Sequence, residues 1–368
     1  MEETRPPLTP QKWCETLEQE YLSDYLRSGG SAVKFLTGSP EHIAEALSRL
    51  RATAPDYYHA HLDPAALDAN GKRPDYHYIN KLFFEVTRGV DWKANATIQA
   101  KQYLESAGIH LAEGRALNDL DGIAEDNGRD PQDLLNQYQR EHATPQIRDT
   151  RLSLEFRIAI TALGRSLLMP ETYTPASQEV LLNWFAGRAV PGGAAVLKRI
   201  QIFEKIGLTT ARPMLVSFCR WLPKTGKTGL ILTLDFRPYE YKKVAKGRRQ
   251  TELLERIQEA VEQGATSEAI AALTQAQTNA EPEVFYSDAA YMQMLTLLRR
   301  FIDEIDTFEN FLLVVLTSPN FYKDKTLDPT IKRCFFDYDA LQTRIGQEVH
   351  DAHHANPSAA LVKLGGEQ

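Results

Sequence analysis

The chain alternates between short unbroken apolar runs and longer stretches with apolar residues at helical spacing. Trp13, Leu17, Tyr21 and Tyr25 recur at near-helical intervals and predict an amphipathic helix from Pro10 to Arg27, ended by Ser28-Gly29-Gly30. Ser31 to Thr37 then reads as a short strand, Gly38-Ser39-Pro40 as a turn, and Glu41 to Arg51 as a helix. A second strand is expected over Asp56 to Asp63, and a helix over Tyr76 to Thr87 whose apolar face holds Ile79, Leu82, Phe83 and Val86. Gly229 to Asp235 and Phe311 to Thr317 are continuous apolar runs, the pattern of strands buried on both faces of a sheet.

Between the second and third strands the pattern turns helical and, from about Lys93 to Gln146, polar. Helices are predicted over 151–168, 178–187, 193–207 and 212–222, and later over 287–305 and 339–353, with a charged, largely helical stretch at 241–279. Strands separated by helices imply a parallel sheet with helices on its faces. The expected organisation is an N-terminal helix in 1–30, an α/β domain over 31–355 with a helical insertion at about 93–225, and a flexible tail at 356–368.

Composition narrows this picture. Hydrophobic residues make up 43% and charged residues 25% of the 368 positions, which excludes wholesale disorder. A formal net charge of -7 leaves no global basic field to draw the chain onto DNA. Cys14, Cys219 and Cys334 fit neither a zinc site nor a CxxC pair and read as buried small side chains. The polar N-terminus has no signal-peptide core, and no apolar run approaches the roughly 20 residues of a membrane helix. A soluble, cytoplasmic protein is expected.

The strand, turn and helix at Ala32 to Leu50 have the outline of a phosphate-binding loop without its chemistry. Such a loop follows GxxxxGK[ST], in which backbone N–H groups, the Lys and the hydroxyl hold phosphates and Mg²⁺. With Gly38 as the first glycine, the GK[ST] positions fall on Ile43, Ala44 and Glu45. Pro40 removes a backbone donor, and Glu41 and Glu45 bring like charge. At ~4 Å a carboxylate beside a phosphate costs about 4 kcal/mol at an effective dielectric of ~20. Ser39, Pro40 and Glu41 instead suit an ordinary helix start, as N-cap, first helical residue and first-turn acid. Gly226-Lys227-Thr228 spells the end of the motif but precedes a strand, so it reads as a turn. Asp235 closes its strand where a P-loop ATPase keeps an acid for Mg²⁺, but Phe236 follows it in place of a second acid. Ser318-Pro319-Asn320 after the last apolar strand reads as turn chemistry.

Several segments, in order along Leu17 to Leu364, resemble the P-loop ATP-binding proteins of BREX phage-defence systems. Tyr25 to Gly38 resembles the approach to that family's P-loop, Leu181 to Gly187 its tryptophan-containing helix, and Thr225 to Asp235 the segment leading to its Walker B strand. Tyr291 to Phe301, Phe311 to Phe321 and Tyr338 to Ile345 resemble its later segments. The resemblance implies a P-loop NTPase-like fold: a mostly parallel sheet flanked by helices, with helical insertions. It implies an anti-phage setting with partners such as an ATPase, a helicase or DNA-modifying subunits. Gly38, Ser39 and Asp235 are the remnants of the nucleotide site, and the missing Lys, hydroxyl and second acid point to a protein that uses no cofactor and hydrolyses nothing. The alternatives are an active or partner-completed ATPase of the same system, or a DNA-binding subunit using the basic run at 242–249.

Other clusters carry weaker chemistry. Lys242, Lys243, Lys246, Arg248 and Arg249, flanked by Tyr239 and Tyr241, form the strongest basic run and a candidate DNA-backbone contact, or else a charged helical face. His59 and His61 share a strand, and His350 and His354 are one helical turn apart, a metal pair in spacing but without a carboxylate partner. Arg299 and Arg300 read as a surface pair or as groups facing a neighbouring subunit.

Overall fold

The computed structural model describes residues 7–67, 71–169, 174–240, 286–318 and 360–366, with shorter stretches between 255 and 269 and between 321 and 345. Five strands form one all-parallel sheet: β1 Ser31–Thr37, β2 Tyr58–Leu62, β3 Leu230–Asp235, β4 Phe311–Thr317 and β5 Ala360–Lys363, in the order β2-β3-β4-β1-β5. Every residue of β1, β3 and β4 is buried, as expected of central strands covered on both faces.

Alternation along the strands sorts the side chains into two layers. Ala32, Leu36, Ile231, Leu312, Val314 and Leu316 face the smaller core. It is closed by α1 (Pro10–Leu17) and α2 (Pro40–Thr53) through Trp13, Leu17, Ile43, Ala46 and Leu50. The N-terminal helix thus belongs to the body of the domain. Beyond α1 the chain continues through a π-helical turn, Glu18–Leu22.

Val33, Phe35, Leu232, Leu313 and Val315 face the larger core. The β2–β3 connection covers this side with α3 (Ile79–Val86), α4 (Trp92–Ser106), α5 (Leu120–Asp126), α6 (Pro131–Tyr138) and α7 (Thr144–Arg148). It continues through α8 (Leu154–Leu168), α9 (Pro175–Phe185), α10 (Gly193–Arg199) and α11 (Ala211–Trp221). Trp92 stacks on Phe185 at 4.0 Å and on Trp221 at 5.6 Å, tying three of these helices together. After β3 come the short α12 (Arg237–Glu240) and, later, α13 (Asp288–Asp303).

Two expectations need correction. The segment from 356 was expected to be a flexible tail, yet Ala360–Lys363 pairs with β1 from Lys34↔Ala360 to Thr37↔Lys363. The helix expected over 193–207 stops at Arg199, where Gln201 takes a left-handed φ of 66° that a continuing helix cannot hold. Most of the late helix expected at 339–353 and most of 241–279 lie outside the described residues.

Candidate functional site at the carboxyl edge of the sheet

The chain leaves β1 through α2 on one face and runs toward β2, whereas the later connections step back in the opposite direction. Adjacent strands β1 and β4 therefore send their chains to opposite sides. In open α/β sheets, ligands bind at the carboxyl ends of such strands. Gly38 and Ser39 lie here, directly after β1.

The turn between β1 and α2 is two residues long, Gly38 and Ser39. Ser39 is extended (φ -67°, ψ 155°), and its hydroxyl accepts the His42 N–H at 3.3 Å. Pro40 has no N–H, so two of the donors that open the helix are already spent or missing. The Ser39 hydrogen bond also holds the Glu41 carboxyl below its usual range, keeping a negative charge at the helix start. Lys34, on β1 itself, is buried in the smaller core, with Nζ donating to the Tyr21 hydroxyl at 2.7 Å.

The space above Gly38 is filled by the chain itself. A Cβ at position 38 would lie 2.9 Å from Leu364 Cβ. Leu364 is held there by its N–H donating to Thr37 O at 2.7 Å and by a parallel bridge to Leu8. Leu8 N–H donates to Lys363 O (2.8 Å) and Gly365 N–H to Leu8 O (2.9 Å), so the two terminal segments clasp beside the β1 end.

Asp235 closes β3 and is buried. Arg237 binds it through Nε (2.8 Å) and Nη2 (2.6 Å), and the Arg237 backbone N–H adds a third bond at 3.1 Å. A bidentate guanidinium occupies the oxygens a metal-bound water would need. Thr37 and Thr317, paired across β1 and β4, carry buried hydroxyls without a hydrogen-bond partner. No motif distinguishes these two threonines in the sequence; only the pairing register brings them side by side.

The Gly226-Lys227-Thr228 turn lies at the opposite, amino edge. Gly226 is left-handed (φ 82°), and Thr228 donates to Asp56, which also takes Arg27 Nη2 at 2.6 Å. Partial burial works to raise the Asp56 carboxyl, but these donors bring it below its usual range. His59 Nε2 lies 2.8 Å from Ala54 O, and among the described residues no three His, Cys, Asp or Glu side chains gather into a possible metal site. Cys14 and Cys219 are buried free thiols, and burial pushes Cys14 up to about 11. Arg299 bonds Asp303 (3.2 Å) and Asp337 (2.7 Å). The basic run Lys242, Lys243, Lys246, Arg248 and Arg249 lies outside the described residues, as do Cys334, His350 and His354. No helix among the described residues is long and apolar enough to cross a membrane.

The fold is thus that of an α/β protein with a five-stranded, all-parallel sheet flanked by helices. No family model matches the chain, and neither does any curated protein or solved structure.

Proposed function

We propose that this chain is a non-hydrolysing pseudo-ATPase, an interaction component built on a P-loop NTPase-like frame. The carrying observation is the closed turn after β1: two residues, self-capped by Ser39 and covered by Leu364. A triphosphate cradle needs several free backbone donors and room above them; this turn offers neither in quantity. The engagement of Asp235 by Arg237 supports the same reading, because it withdraws the acid from metal binding. An interior first strand, between β4 and β5, is compatible with a P-loop-like frame.

The setting within a prokaryotic anti-phage system follows from the sequence resemblance. The partners would be an ATPase, a helicase or DNA-modifying subunits. Neighbouring genes of those kinds would support that setting.

Equilibrium dialysis with labelled ATP and Mg²⁺ tests the reading. The expected result is no saturable binding at the β1 edge up to millimolar nucleotide. Saturable micromolar binding abolished by Asp235→Ala would establish the active, or partner-completed, ATPase instead.

A further inference from the structure

The sheet ends at β2 on one side and at β5 on the other, and its two edges are finished differently. An edge strand presents backbone N–H and C=O groups with no neighbouring strand, and folded proteins cover such edges or place charge on them. The β5 edge has both devices. Leu8 N–H donates to Lys363 O at 2.8 Å and Gly365 N–H to Leu8 O at 2.9 Å, so the N-terminal segment lies along it, and Lys363 is exposed there.

The β2 edge has neither. Tyr58 N–H donates to Gly229 O at 2.8 Å, so Tyr58, Ala60 and Leu62 turn their backbone groups toward β3, and His59 and His61 turn theirs outward. Among the described residues nothing pairs with the outward N–H and C=O of these two histidines. The strand Tyr58–Leu62 carries no Lys, Arg, Asp or Glu. Desolvation lowers the pKa of both imidazoles, and the nearby Arg51 charge acts the same way, so the edge is uncharged at pH 7. Pro55 before the strand and Pro64 after it have no N–H to offer, which confines any pairing to this short window.

This edge is complementary to itself. A two-fold axis through Ala60 sets His59 of one copy opposite His61 of a second in an antiparallel pair. Each such couple exchanges two backbone hydrogen bonds, so every outward group of both histidines is used. Moving the axis to His59 would bring in Tyr57, whose N–H already donates to Ala54 O at 3.2 Å. Moving it to His61 would bring in Asp63, whose C=O already accepts the Ala66 N–H at 3.3 Å. Ala60, on the axis, meets its own image at the close spacing of a non-hydrogen-bonded pair, where a methyl group leaves room. Tyr58 and the second copy's Leu62 come opposite on the same face. On the other face, the second copy's His61 lies beside His59, next to the shallow groove lined by Leu47, Leu50 and Arg51 of α2.

We propose that β2 is a self-association edge: two copies of this chain pair antiparallel through His59 and His61 about an axis at Ala60, joining their two 5-stranded sheets into one. A foreign strand could use the same open groups, but the fit of the free groups to a single two-fold register favours a second copy. The contact is independent of the closed turn at Gly38, because β3 and β4 lie between β2 and β1, which puts the two strands on the order of 14 Å apart.

Analytical ultracentrifugation of the full chain near pH 7, under reducing conditions and over ~1–200 µM, tests the proposal. A reversible monomer–dimer equilibrium is expected within that range. His61→Pro removes an outward N–H without touching the bonds to β3, and His61→Lys places a charge on the edge. Each is expected to weaken dimerisation at least about tenfold with the circular dichroism spectrum unchanged. Should His61→Pro fail to fold, His61→Lys, at an exposed position, carries the test. Ala60→Cys reads the register. The α-carbons on the axis would lie ~4.5 Å apart, within the span of a disulfide, so oxidised glutathione is expected to link this variant, and not the parent, into covalent dimers. A monomer throughout the range, a dimer unaffected by both His61 variants, or an Ala60→Cys dimer that stays unlinked would overturn the proposal. None of these outcomes bears on nucleotide binding at the β1 edge, so the closed-turn reading stands or falls separately.

Discussion

Gln99 sits inside the helical layer and holds two helices together through one amide. Its Nε2 donates to Gln146 Oε1 at 2.9 Å, and its Oε1 accepts the Trp221 indole N–H at 3.0 Å. All three residues are buried, so each of these groups depends on the others. Gln99→Leu keeps the volume but strands a buried indole N–H and a buried amide oxygen. The expected cost is about 2–4 kcal/mol, measured by urea denaturation. A double variant with Trp221→Phe should cost less than the sum of the two single changes, because the orphaned indole donor is then gone. The buried hydroxyls of Thr37 and Thr317 show the opposite case at this scale, polar groups left unpaired at the end of a strand pair.

At the scale of elements, the β1–α2 turn and the terminal clasp form one unit. Leu364 is only 6% exposed and packs against the bare backbone of Gly38. Gly38→Val would drive branched carbons into Leu364 and is expected to cost about 1–3 kcal/mol in thermal or chemical unfolding. Leu364→Ala in the same chain should restore part of that loss by making room, a coupling a double-mutant cycle measures directly. If the two costs simply add, Leu364 does not cover this turn. A comparable closeness occurs at the other edge, where any Cβ at Gly229 would collide with Asn310. Asn310 is itself left-handed (φ 54°) and donates its amide to Leu26 O at 2.7 Å, fixing the start of β4.

For the whole molecule, buried and partly buried histidines contribute to the response to acid. Burial lowers the pKa of His59, His77 and His142, the last to about 4, with the nearby Lys224 charge adding to the effect. His142 lies among the rings of Tyr103 (4.9 Å) and Tyr138 (5.0 Å). Between pH 6.5 and 4 the unfolded chain takes up a proton that the folded chain refuses. Stability conferred by the neutral ring is therefore full above pH 6.5 and falls as the pH drops toward 4. Allowing for partial exposure of the ring, His142 should account for about 1–2 kcal/mol of that loss. Denaturation midpoints measured from about pH 7 to about pH 4 should fall less steeply in His142→Phe than in the parent. An unchanged slope would remove His142 from the account.

Unbroken apolar runs make β1, β3 and β4 legible from the amino-acid order alone, because a strand buried on both faces has no polar positions to alternate. The short turn after β1 is likewise written locally, in Gly38, Ser39 and Pro40, since capping and the missing proline donor act within a few residues. Strand β5 is not legible: four residues without a distinctive period become a strand only because the free edge of β1 offers them hydrogen bonds. The cover of Leu364 over Gly38, the pairing of Thr37 with Thr317, and the meeting of His77 with Tyr286 join positions far apart in the chain. Periodicity and local propensity carry no information about such contacts. They are decided by sheet order and register, which arise when the whole chain buries its apolar faces together.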